Sequence, residues 1–510
     1  MRVALCGITS RVGVKMSAEY GSRPLTSFSG CADWSPLQKV TAIVTMLLCG
    51  CSVTEPPAEP SAEPIDDTAS TCVAVSPGEL DRWGGASAVD LGATGFFRVE
   101  KVCDRWWFVT PEGHPFYSAG VNSARPGGDF SVTGRAPYRE AVSELYVNDE
   151  AWGASVVSRM REWNVNTVGS WSTVSVLSGV AVTVNLALAS DDWIQGTVTD
   201  YFSDEWADFV GETTLSAAAE WAGRPELLGW FIDNENRWGP DWRGSETLLQ
   251  LYLILPPESG GKAAAVDMLV EHFGGTTQAG DFIGLAQADR NDLLEFTGSL
   301  RALDAGASET QALVTELFIT LAAERYFEVT TGAIRAADPN HLVLGNREIA
   351  TLVPPGVLDA AALHVDVLSI NHYTLRDGIG DLARVMSGAL DPANNFEALH
   401  ERHDLPILVS EFGFRAADSG PPCTRPLIYP VLATQVDRAD AWESTVVSLQ
   451  GTPWIVGHHW YKWVDNPIEG RRDGEDNNWG LVDVYDAPYP ELTERMTSVN
   501  PRIWEYLRVP

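Results

Sequence analysis

Eight short apolar runs, each followed at once by polar or aromatic residues, constrain the fold of this 510-residue chain more than any other feature. Short, continuous apolar runs are typical of strands that are buried on both faces of a parallel sheet. Helix-like segments separate them, which indicates parallel strands joined by right-handed crossovers. The runs are Phe116–Val121, Thr167–Gly169, Ala181–Leu188, Glu226–Ile232, His341–Leu344, Val365–Ile370, Leu405–Ser410 and Trp454–Gly457.

Eight such units predict an α/β protein with a closed (β/α)8 TIM barrel, whose functional site lies at the carboxyl ends of the strands. An open, doubly wound sheet is the alternative. That fold would place a glycine-rich phosphate loop after an early strand, and the chain has neither a GxGxxG nor a Walker pattern. The barrel is therefore the predicted fold.

Two segments depart from the regular repeat of strand and helix. Residues Gly95–Val109 predict a short N-terminal β-hairpin ahead of the first barrel strand. A long helical insertion, at about residues 241–307, follows the fourth strand. We assign residues 78–510 to the barrel with its insertion, and we expect an excursion of this length to shape a ligand cleft.

The N-terminal region predicts export. The apolar run Val40–Leu48 is too short to span a bilayer, and it leads into a Leu-Cys-Gly-Cys sequence that resembles the lipobox of bacterial lipoproteins. Residues 1–51 are then a leader, and Cys51 is lipidated and anchors an exported lipoprotein to the outer membrane or cell surface. Residues 52–77, rich in Pro, Glu and Ala, are expected to form a disordered linker. A cleaved signal peptide without an anchor is the alternative.

Three cysteines follow the leader: Cys72, Cys103 and Cys423. In an oxidising compartment Cys72 and Cys103 are the natural disulfide pair. The bond would close a loop of about 30 residues and stabilise the fold by roughly 3–4 kcal/mol through chain entropy. Neither a CxxC nor an HExxH pattern is present, so we expect no metal site and no cofactor.

The formal net charge of −34 excludes nucleic acid as a partner, because phosphate binding needs clustered Lys and Arg. A chain this acidic favours neutral or cationic ligands. Several of its 19 tryptophans, Trp171 and Trp242 among them, stand in polar surroundings where flat rings suit stacking on sugars. A carbohydrate is therefore the expected partner, and the oligomeric state is left open.

Two glutamates stand where apolar strands end. Glu235 follows the fourth strand, and Glu411 follows the seventh. Cleavage of a glycosidic bond with retention needs two carboxyl groups about 5–5.5 Å apart, one as acid and one as nucleophile. Since the carboxyl ends of all barrel strands meet at one face, the two side chains are placed to supply this pair.

The pairing of Asn234-Glu235 after strand four with Glu411 after strand seven resembles the signature of clan A retaining glycosidases. Six phrases in order are similar to the β-agarase family within that clan, and the resemblance extends over about residues 95–500. One departure is Gly413, where agarases tend to carry a histidine. The phrases are GWFIDNENRWG (229–239), AIRAADPNHLVLGNR (333–347), VLSINHYT (367–374), SEFGFRAADSG (410–420), IVGHHWYKWVDNP (455–467) and NWGLVDVYDAPYPEL (478–492).

The resemblance implies a role for each matching residue. Glu235 would be the general acid/base and Glu411 the nucleophile. Asn234 would bind the substrate hydroxyl beside the anomeric carbon, Tyr373 would donate its hydroxyl to Glu411, and Trp460 would form a stacking floor. Further residues expected to line the subsite are His372, Asn122, Arg347 and His459.

The resemblance also implies an activity: retaining hydrolysis, by double displacement, of a β-linked neutral polysaccharide or oligosaccharide, with agar-type galactan as the first candidate. Glu235 should then have a raised pKa, because desolvation and the charge of Glu411 both disfavour its ionised form. The second hypothesis is a catalytically silent, surface carbohydrate-binding lipoprotein. An aldolase or isomerase is a third, and it would need a strand-end lysine, for which only Lys462 stands nearby.

Four other titratable residues require an interpretation. Glu348, the best rival carboxylate, is predicted to form a loop salt bridge, and Asp233 is as easily structural as functional. His458 and His459 are neighbours on one strand, so their side chains point to opposite faces. At least one of the two histidines is therefore expected to be structural.

Overall fold

A computed structural model describes residues 72–189, 198–298, 309–375 and 392–510. The strands in these ranges are named here in chain order. They are β1 (Val73–Ala74), β2 (Arg98–Val102), β3 (Arg105–Val109), β4 (Pro115–Phe116), β5 (Ser118–Val121), β6 (Thr167–Val168), β7 (Ala181–Asn185), β8 (Leu227–Asn234), β9 (Leu342–Ile349), β10 (Leu368–Asn371), β11 (Ile407–Phe412), β12 (Ile455–Trp460) and β13 (Arg508–Val509).

Strands β5 to β12 form a closed barrel in sequence order, and each neighbouring pair is parallel. The predicted (β/α)8 barrel is thus confirmed, with one strand on each predicted apolar run. Closure joins β5 to both β6 and β12, and Gly120 pairs with Thr167 on one side and His459 on the other. A Cβ at Gly120 would lie 2.3 Å from the His459 ring, so this close approach requires glycine.

The predicted N-terminal hairpin is present as β2 and β3, and β4 extends it to a three-stranded antiparallel sheet. Its apolar face packs on residues near the amino ends of the barrel strands. This sheet therefore closes the end of the barrel opposite to Glu235 and Glu411. The shared core contains Trp83, Phe97, Phe108, Phe116, Ala181, Leu228, Phe231, Leu342, Leu344, Val367, Leu408 and Val456.

Helices alternate with the barrel strands, except between β6 and β7, which are joined through a short 3-10 helix at Val174–Val176. Their starts follow ordinary capping chemistry: Thr434, for example, forms a capping box with Asp437. The helices are α1 (Pro137–Leu145), α2 (Asp149–Glu162), α3 (Asp204–Trp221), α4 (Leu248–Leu253), α5 (Gly260–Phe273), α6 (Thr276–Ile283), α7 (Arg290–Leu294), α8 (Glu309–Ala337), α9 (Pro355–Ala362), α10 (Pro392–His403), α11 (Gln435–Gly451) and α12 (Pro490–Val499).

The insertion after β8 contains four of these helices, α4 to α7, within its described part. Its apolar side chains pack on the long helix α8: the Tyr252 and Phe318 rings lie 5.0 Å apart, edge to face. Lys262 is buried in the insertion and donates to the carbonyls of Leu255 and Phe296. The excursion therefore packs on the helix that precedes β9, and it leaves the barrel at the carboxyl end of β8.

The two ends of the described chain are joined. β1 pairs antiparallel with β13, and a disulfide links Cys72 to Cys103 in the turn between β2 and β3. The predicted linker ends at residue 77, and its last residues, 72–77, lie within the described part of the chain and include β1. The predicted leader and lipidation at Cys51 lie outside the described residues. Within the described ranges, no helix is long and apolar enough to cross a membrane.

Candidate active site

Glu235 and Glu411 both lie at the carboxyl end of the barrel, at the ends of β8 and β11, which β9 and β10 separate. Glu235 follows β8 directly and has a left-handed backbone, with φ of 54°. A residue with a side chain adopts this conformation at a cost of about 1–2 kcal/mol. Two hydrogen bonds hold it there: its N–H donates to the Arg347 carbonyl at 3.1 Å, and Arg243 donates to its carbonyl at 3.0 Å.

The amide nitrogen of Asn371 connects the two carboxylates. It lies 2.9 Å from Oε1 of Glu235 and 3.2 Å from Oε2 of Glu411. Because both oxygens contact one nitrogen, they can be no farther apart than the sum of these distances, about 6.1 Å. The amide oxygen of Asn371 in turn accepts a hydrogen bond from Ser410 at 2.9 Å, which fixes the orientation of the amide.

Glu411 lies within β11, and its side chain is enclosed by donors. Besides Asn371, the Tyr373 hydroxyl donates to Oε1 at 2.6 Å, and Arg347 donates to Oε2 at 2.7 Å. Glu411 is only 5% exposed, so these donors replace most of the water that would otherwise solvate the carboxylate. Charge-assisted hydrogen bonds of this kind stabilise the negative charge that a nucleophile needs.

The environment of Glu235 favours the protonated form of its carboxyl group. Burial, and next the negative charge of Glu411, raise the pKa of Glu235 to about 7. The hydrogen bond from Asn371 and the charges of Arg347 and Arg243 oppose that shift. The raised pKa agrees with the expectation from the sequence, and it allows Glu235 to hold a proton near neutral pH.

Arg347 and Asn122, which were expected to line a subsite, instead lie beneath Glu411 and are fully buried. Arg347 donates to the Ser410 carbonyl as well as to Glu411. The Asn122 amide donates to the Ser410 carbonyl at 3.0 Å. Both side chains therefore hold the strand that carries Glu411, and this corrects their predicted position.

Trp460 and His459 are also placed differently from the prediction. Trp460 is 1% exposed, with its indole N–H bound to the Trp479 carbonyl at 2.8 Å and its ring perpendicular to that of Phe412 at 5.4 Å. A ring enclosed in this way offers no open face for stacking. His459 points into the barrel and contacts the Ser118 hydroxyl at 2.8 Å, below the carboxylates.

His458 points outward from the barrel, where it packs against Trp442 of α11. Burial lowers the pKa of His458 to about 3 and that of His459 well below its usual value. Both histidines are thus neutral structural residues, as was expected for at least one of them. His372 stays partly exposed at the rim, and its backbone N–H donates to the Glu411 carbonyl at 2.8 Å.

Two further carboxyl groups lie close to Glu235. Glu348 is an interior residue of β9, not a loop residue in a salt bridge, so that prediction is wrong. It accepts hydrogen bonds from Trp238 at 3.0 Å and from Asn346 at 2.6 Å, and burial raises its pKa to about 8.

Asp233 is structural. It accepts from the Tyr326 hydroxyl at 2.8 Å and from the Ala189 N–H at 3.0 Å, and burial raises its pKa to about 7. Asn234, which precedes Glu235, is partly exposed and accepts from the Asn371 amide at 3.1 Å. Asn371 was not among the predicted site residues. The sequence feature that could have identified it is its position at a strand end, just before His372 and Tyr373.

One group of residues within the described ranges has the spacing of a metal site, namely Asp81, Glu112 and His114. The Asp81 oxygens already accept from Thr110, His114 and two backbone N–H groups. Glu112 pairs with Arg82. These carboxyl groups therefore organise the chain before the barrel, and they take no part in the site at the opposite end.

A closed eight-stranded barrel carries glutamates at the carboxyl ends of its fourth and seventh strands, and one amide contacts both carboxylates. Two carboxyl groups close together at this face are what cleavage of a glycosidic bond requires. The curated homologues of this chain are β-agarases. β-Agarase B of Vibrio sp. (strain JT0107) is 25% identical over 84% of this chain and 50% of its own length. β-Agarase A of the same strain is 26% identical over 80% of this chain and 46% of its own length. No family model matches the chain.

Solved agarase structures share the fold. An exo-β-agarase superposes with a TM-score of 0.69 at 23% identity, over 85% of this chain and 69% of its own. A second agarase superposes with a TM-score of 0.67 at 22% identity, over 83% and 67%. The chain spans about half the length of the curated relatives it matches.

Proposed function

We propose that this protein is a retaining glycoside hydrolase that cleaves β-linked bonds in a neutral, agar-type polysaccharide or its oligosaccharides. The observation that carries the proposal is the shared contact of Asn371 with Glu235 and Glu411. It brings an acid with a pKa of about 7 within about 6.1 Å of a carboxylate enclosed by donors. Two carboxyl groups so placed have the complementary states that the reaction requires.

The separation favours retention over inversion. Inverting enzymes keep their carboxyl groups about 6.5–9.5 Å apart to admit a water molecule, whereas retaining enzymes bring them to about 5–5.5 Å. The bound of about 6.1 Å between Oε1 of Glu235 and Oε2 of Glu411 lies below the inverting range. Direct attack by Glu411 on the sugar is therefore the mechanism that fits.

In the first step, Oε of Glu411 attacks the anomeric carbon while Glu235 gives its proton to the departing glycosidic oxygen. The carbon–oxygen bond to the leaving group breaks and a glycosyl ester with Glu411 forms. In the second step, Glu235, now ionised, takes a proton from water, whose oxygen attacks the same carbon and releases Glu411. Each carboxyl group ends in its starting state, and the product keeps the β configuration.

The choice of substrate rests on the relatives and on charge. Both curated homologues and two of the fold neighbours are named as agarases, so a neutral, agar-type galactan is the first candidate. A chain with a net charge of −34 disfavours polyanionic sugars. A silent carbohydrate-binding protein is the weaker alternative, because binding a sugar requires neither the donors on Glu411 nor the raised pKa of Glu235.

The test is the fate of two alanine variants with an aryl β-galactoside and added azide. With Glu411→Ala, azide attacks directly and yields the α-azide. With Glu235→Ala, the glycosyl ester still forms, and azide yields the β-azide. NMR spectroscopy distinguishes the two anomers and also shows whether wild-type protein releases the β-anomer first. Inverted product, or one anomer from both variants, would refute the assignment.

We also propose that Cys51 is lipidated and anchors the protein to a bacterial membrane. The support is the sequence alone: an apolar run, the Leu-Cys-Gly-Cys box and an acidic linker. Full-length protein should sediment with membranes, and a Cys51→Ser variant should not. Finding wild-type protein wholly in the soluble fraction would contradict the proposal.

A further inference from the structure

The loop that follows the strand of Glu411 is organised around one buried arginine. This loop, here called the β11 loop, comprises residues 413–434, between β11 and α11. Arg415 lies near its start, is fully buried, and donates to backbone carbonyls farther along the same loop. A guanidinium group carries five N–H donors in a planar fork, so one side chain can hold a turn of the chain around itself. The accepting carbonyls are those of Arg425 (3.1 Å), Pro426 (2.6 Å), Tyr429 (2.8 Å) and Pro430 (3.4 Å).

Other hydrogen bonds fix the β11 loop at its base and along one side. At the base, the Leu432 N–H donates to the Arg415 carbonyl at 2.9 Å. Along the side, the carboxylate of Asp476, from the loop after β12, accepts from the N–H groups of Thr424 and Arg425 at 2.7 and 2.8 Å. The segment of residues 425–430 is therefore held in one conformation by groups of the protein itself.

This segment presents the ring of Tyr429 to Tyr373, the tyrosine that donates to Glu411. The centroids of the two tyrosine rings lie 5.1 Å apart, and both rings contact Trp479, at 5.9 and 5.7 Å. Aromatic pairs at these distances attract each other beyond the effect of burial alone. Arg415 also lies against Trp479, with Cζ 5.9 Å from the ring centroid. Tyr373 is thus enclosed between two loops, and its hydroxyl reaches Glu411 at 2.6 Å.

The electrostatic environment of Tyr429 agrees with a supporting role. Burial, and next the negative charges of Glu235 and other nearby carboxylates, raise the pKa of Tyr429 well above its usual value. The phenol is therefore neutral at physiological pH. It supports Tyr373 without adding a charge that would oppose the carboxylate of Glu411.

We propose that Arg415 is a positioning residue that fixes the hydrogen bond from Tyr373 to Glu411. It acts through the β11 loop, which holds the ring of Tyr429 against that of Tyr373. The inference rests on the proposed function, in which Glu411 is the nucleophile. Hydrogen bonds weaken steeply when their geometry is lost, so a phenol that moves by about 1 Å no longer stabilises the carboxylate. A displacement of this size, caused far from the chemistry, lowers the rate.

The first experiment measures steady-state kinetics of the full-length protein with an agar-derived tetrasaccharide. Tyr429→Leu removes the ring and should lower kcat about tenfold with little change in KM. Tyr429→Phe, which keeps the ring, should restore most of that loss. Arg415→Lys keeps the charge but not the planar fork, and it should lower kcat about fivefold. A raised KM with unchanged kcat in Tyr429→Leu would make Tyr429 a substrate contact and refute the inference.

A double-mutant cycle with Tyr373→Phe separates positioning from a general loss of structure. If Arg415 and Tyr429 act through the Tyr373 hydroxyl, adding either change to Tyr373→Phe should lower kcat by less than about a further twofold. Effects that multiply in full would refute the inference.

Arg105→Lys is the matched control. Arg105 is also buried (5% exposed) and donates to a backbone carbonyl, that of Gln450, at 2.7 Å. It lies on β3, at the closed end of the barrel, so the change should lower the melting temperature and leave kcat as it is. Thermal melts of all variants are compared with those of this control.

A crystal structure of Tyr429→Leu tests the positioning without any substrate. The Tyr373 hydroxyl should lie more than about 1 Å farther from Glu411 than in the wild type, or occupy two positions. A phenol that stays in place would refute the inference. If the wild type hydrolyses neither the tetrasaccharide nor an aryl β-galactoside, the glycosidase proposal fails, and the crystal structure alone decides on the positioning. If the wild type is active and the cycle shows full multiplication, only the positioning is refuted.

Discussion

Replacing Asn371 with alanine removes a side chain that donates to both carboxylates of the site. A hydrogen bond to a charged group stabilises it by about 1.5–3 kcal/mol, and about 1.4 kcal/mol corresponds to one pKa unit. The bond to Glu235, at 2.9 Å, favours its ionised form. Its loss should therefore raise the pKa of Glu235 above the present value of about 7, by roughly one unit.

The sign of the effect on activity follows from the role of the acid. Glu235 must be protonated to act, so kcat/KM falls as pH rises through its pKa. The alkaline limb of the pH profile should consequently move upward by about one unit in Asn371→Ala. The plateau value of kcat/KM below this limb should fall roughly tenfold to a hundredfold, because Glu411 loses a charge-assisted donor. The measurement requires an agar oligosaccharide, since its leaving group depends on the proton.

Two further variants serve as controls. Ser410→Ala removes only the hydrogen bond that orients the Asn371 amide, so the alkaline limb should move in the same direction by less. Asn291→Ala, on the exposed surface of α7, should reproduce the wild-type profile. An alkaline limb that stays in place or moves to lower pH in Asn371→Ala would show that Asn371 does not stabilise ionised Glu235.

Three other changes have defined outcomes. Tyr373→Phe removes the 2.6 Å hydrogen bond to Glu411 and should lower kcat roughly tenfold to a hundredfold with little change in KM, as steady-state kinetics would show. Glu348, 2% exposed with its pKa raised to about 8, destabilises the fold as pH rises from about 4.5 to 8. Between pH 4.5 and 8, the unfolding free energy of Glu348→Gln should therefore fall by about several kcal/mol less than that of the wild type, as urea titrations would show. Equal falls in the two proteins would contradict this reasoning. Replacing Cys72 and Cys103 with serine opens a loop spanning 31 residues and should lower the unfolding free energy by roughly 3–4 kcal/mol, and an unchanged midpoint would argue against it.

The sequence determined the barrel and the position of its two glutamates. A strand buried on both faces needs an unbroken apolar run, and the polar residue that follows such a run lies at the carboxyl end. This local rule placed Glu235 and Glu411 on one face, and the same rule placed Tyr373 after β10, within 2.6 Å of Glu411. Gly120 lies on β5, between β6 and β12, and it is glycine because the barrel leaves no room there for a side chain.

The tertiary structure decided what each side chain contacts. Glu348 and Trp460 look like accessible strand-end residues in the sequence, yet packing encloses both. Asn371 became the link between the carboxylates because β10 lies beside the strand of Glu411 and close to that of Glu235, whereas it is far from either in sequence. Burial and hydrogen-bond partners arise from contacts between distant segments. Spacing along the chain encodes the direction of a side chain from its own strand, but not the neighbours that surround it.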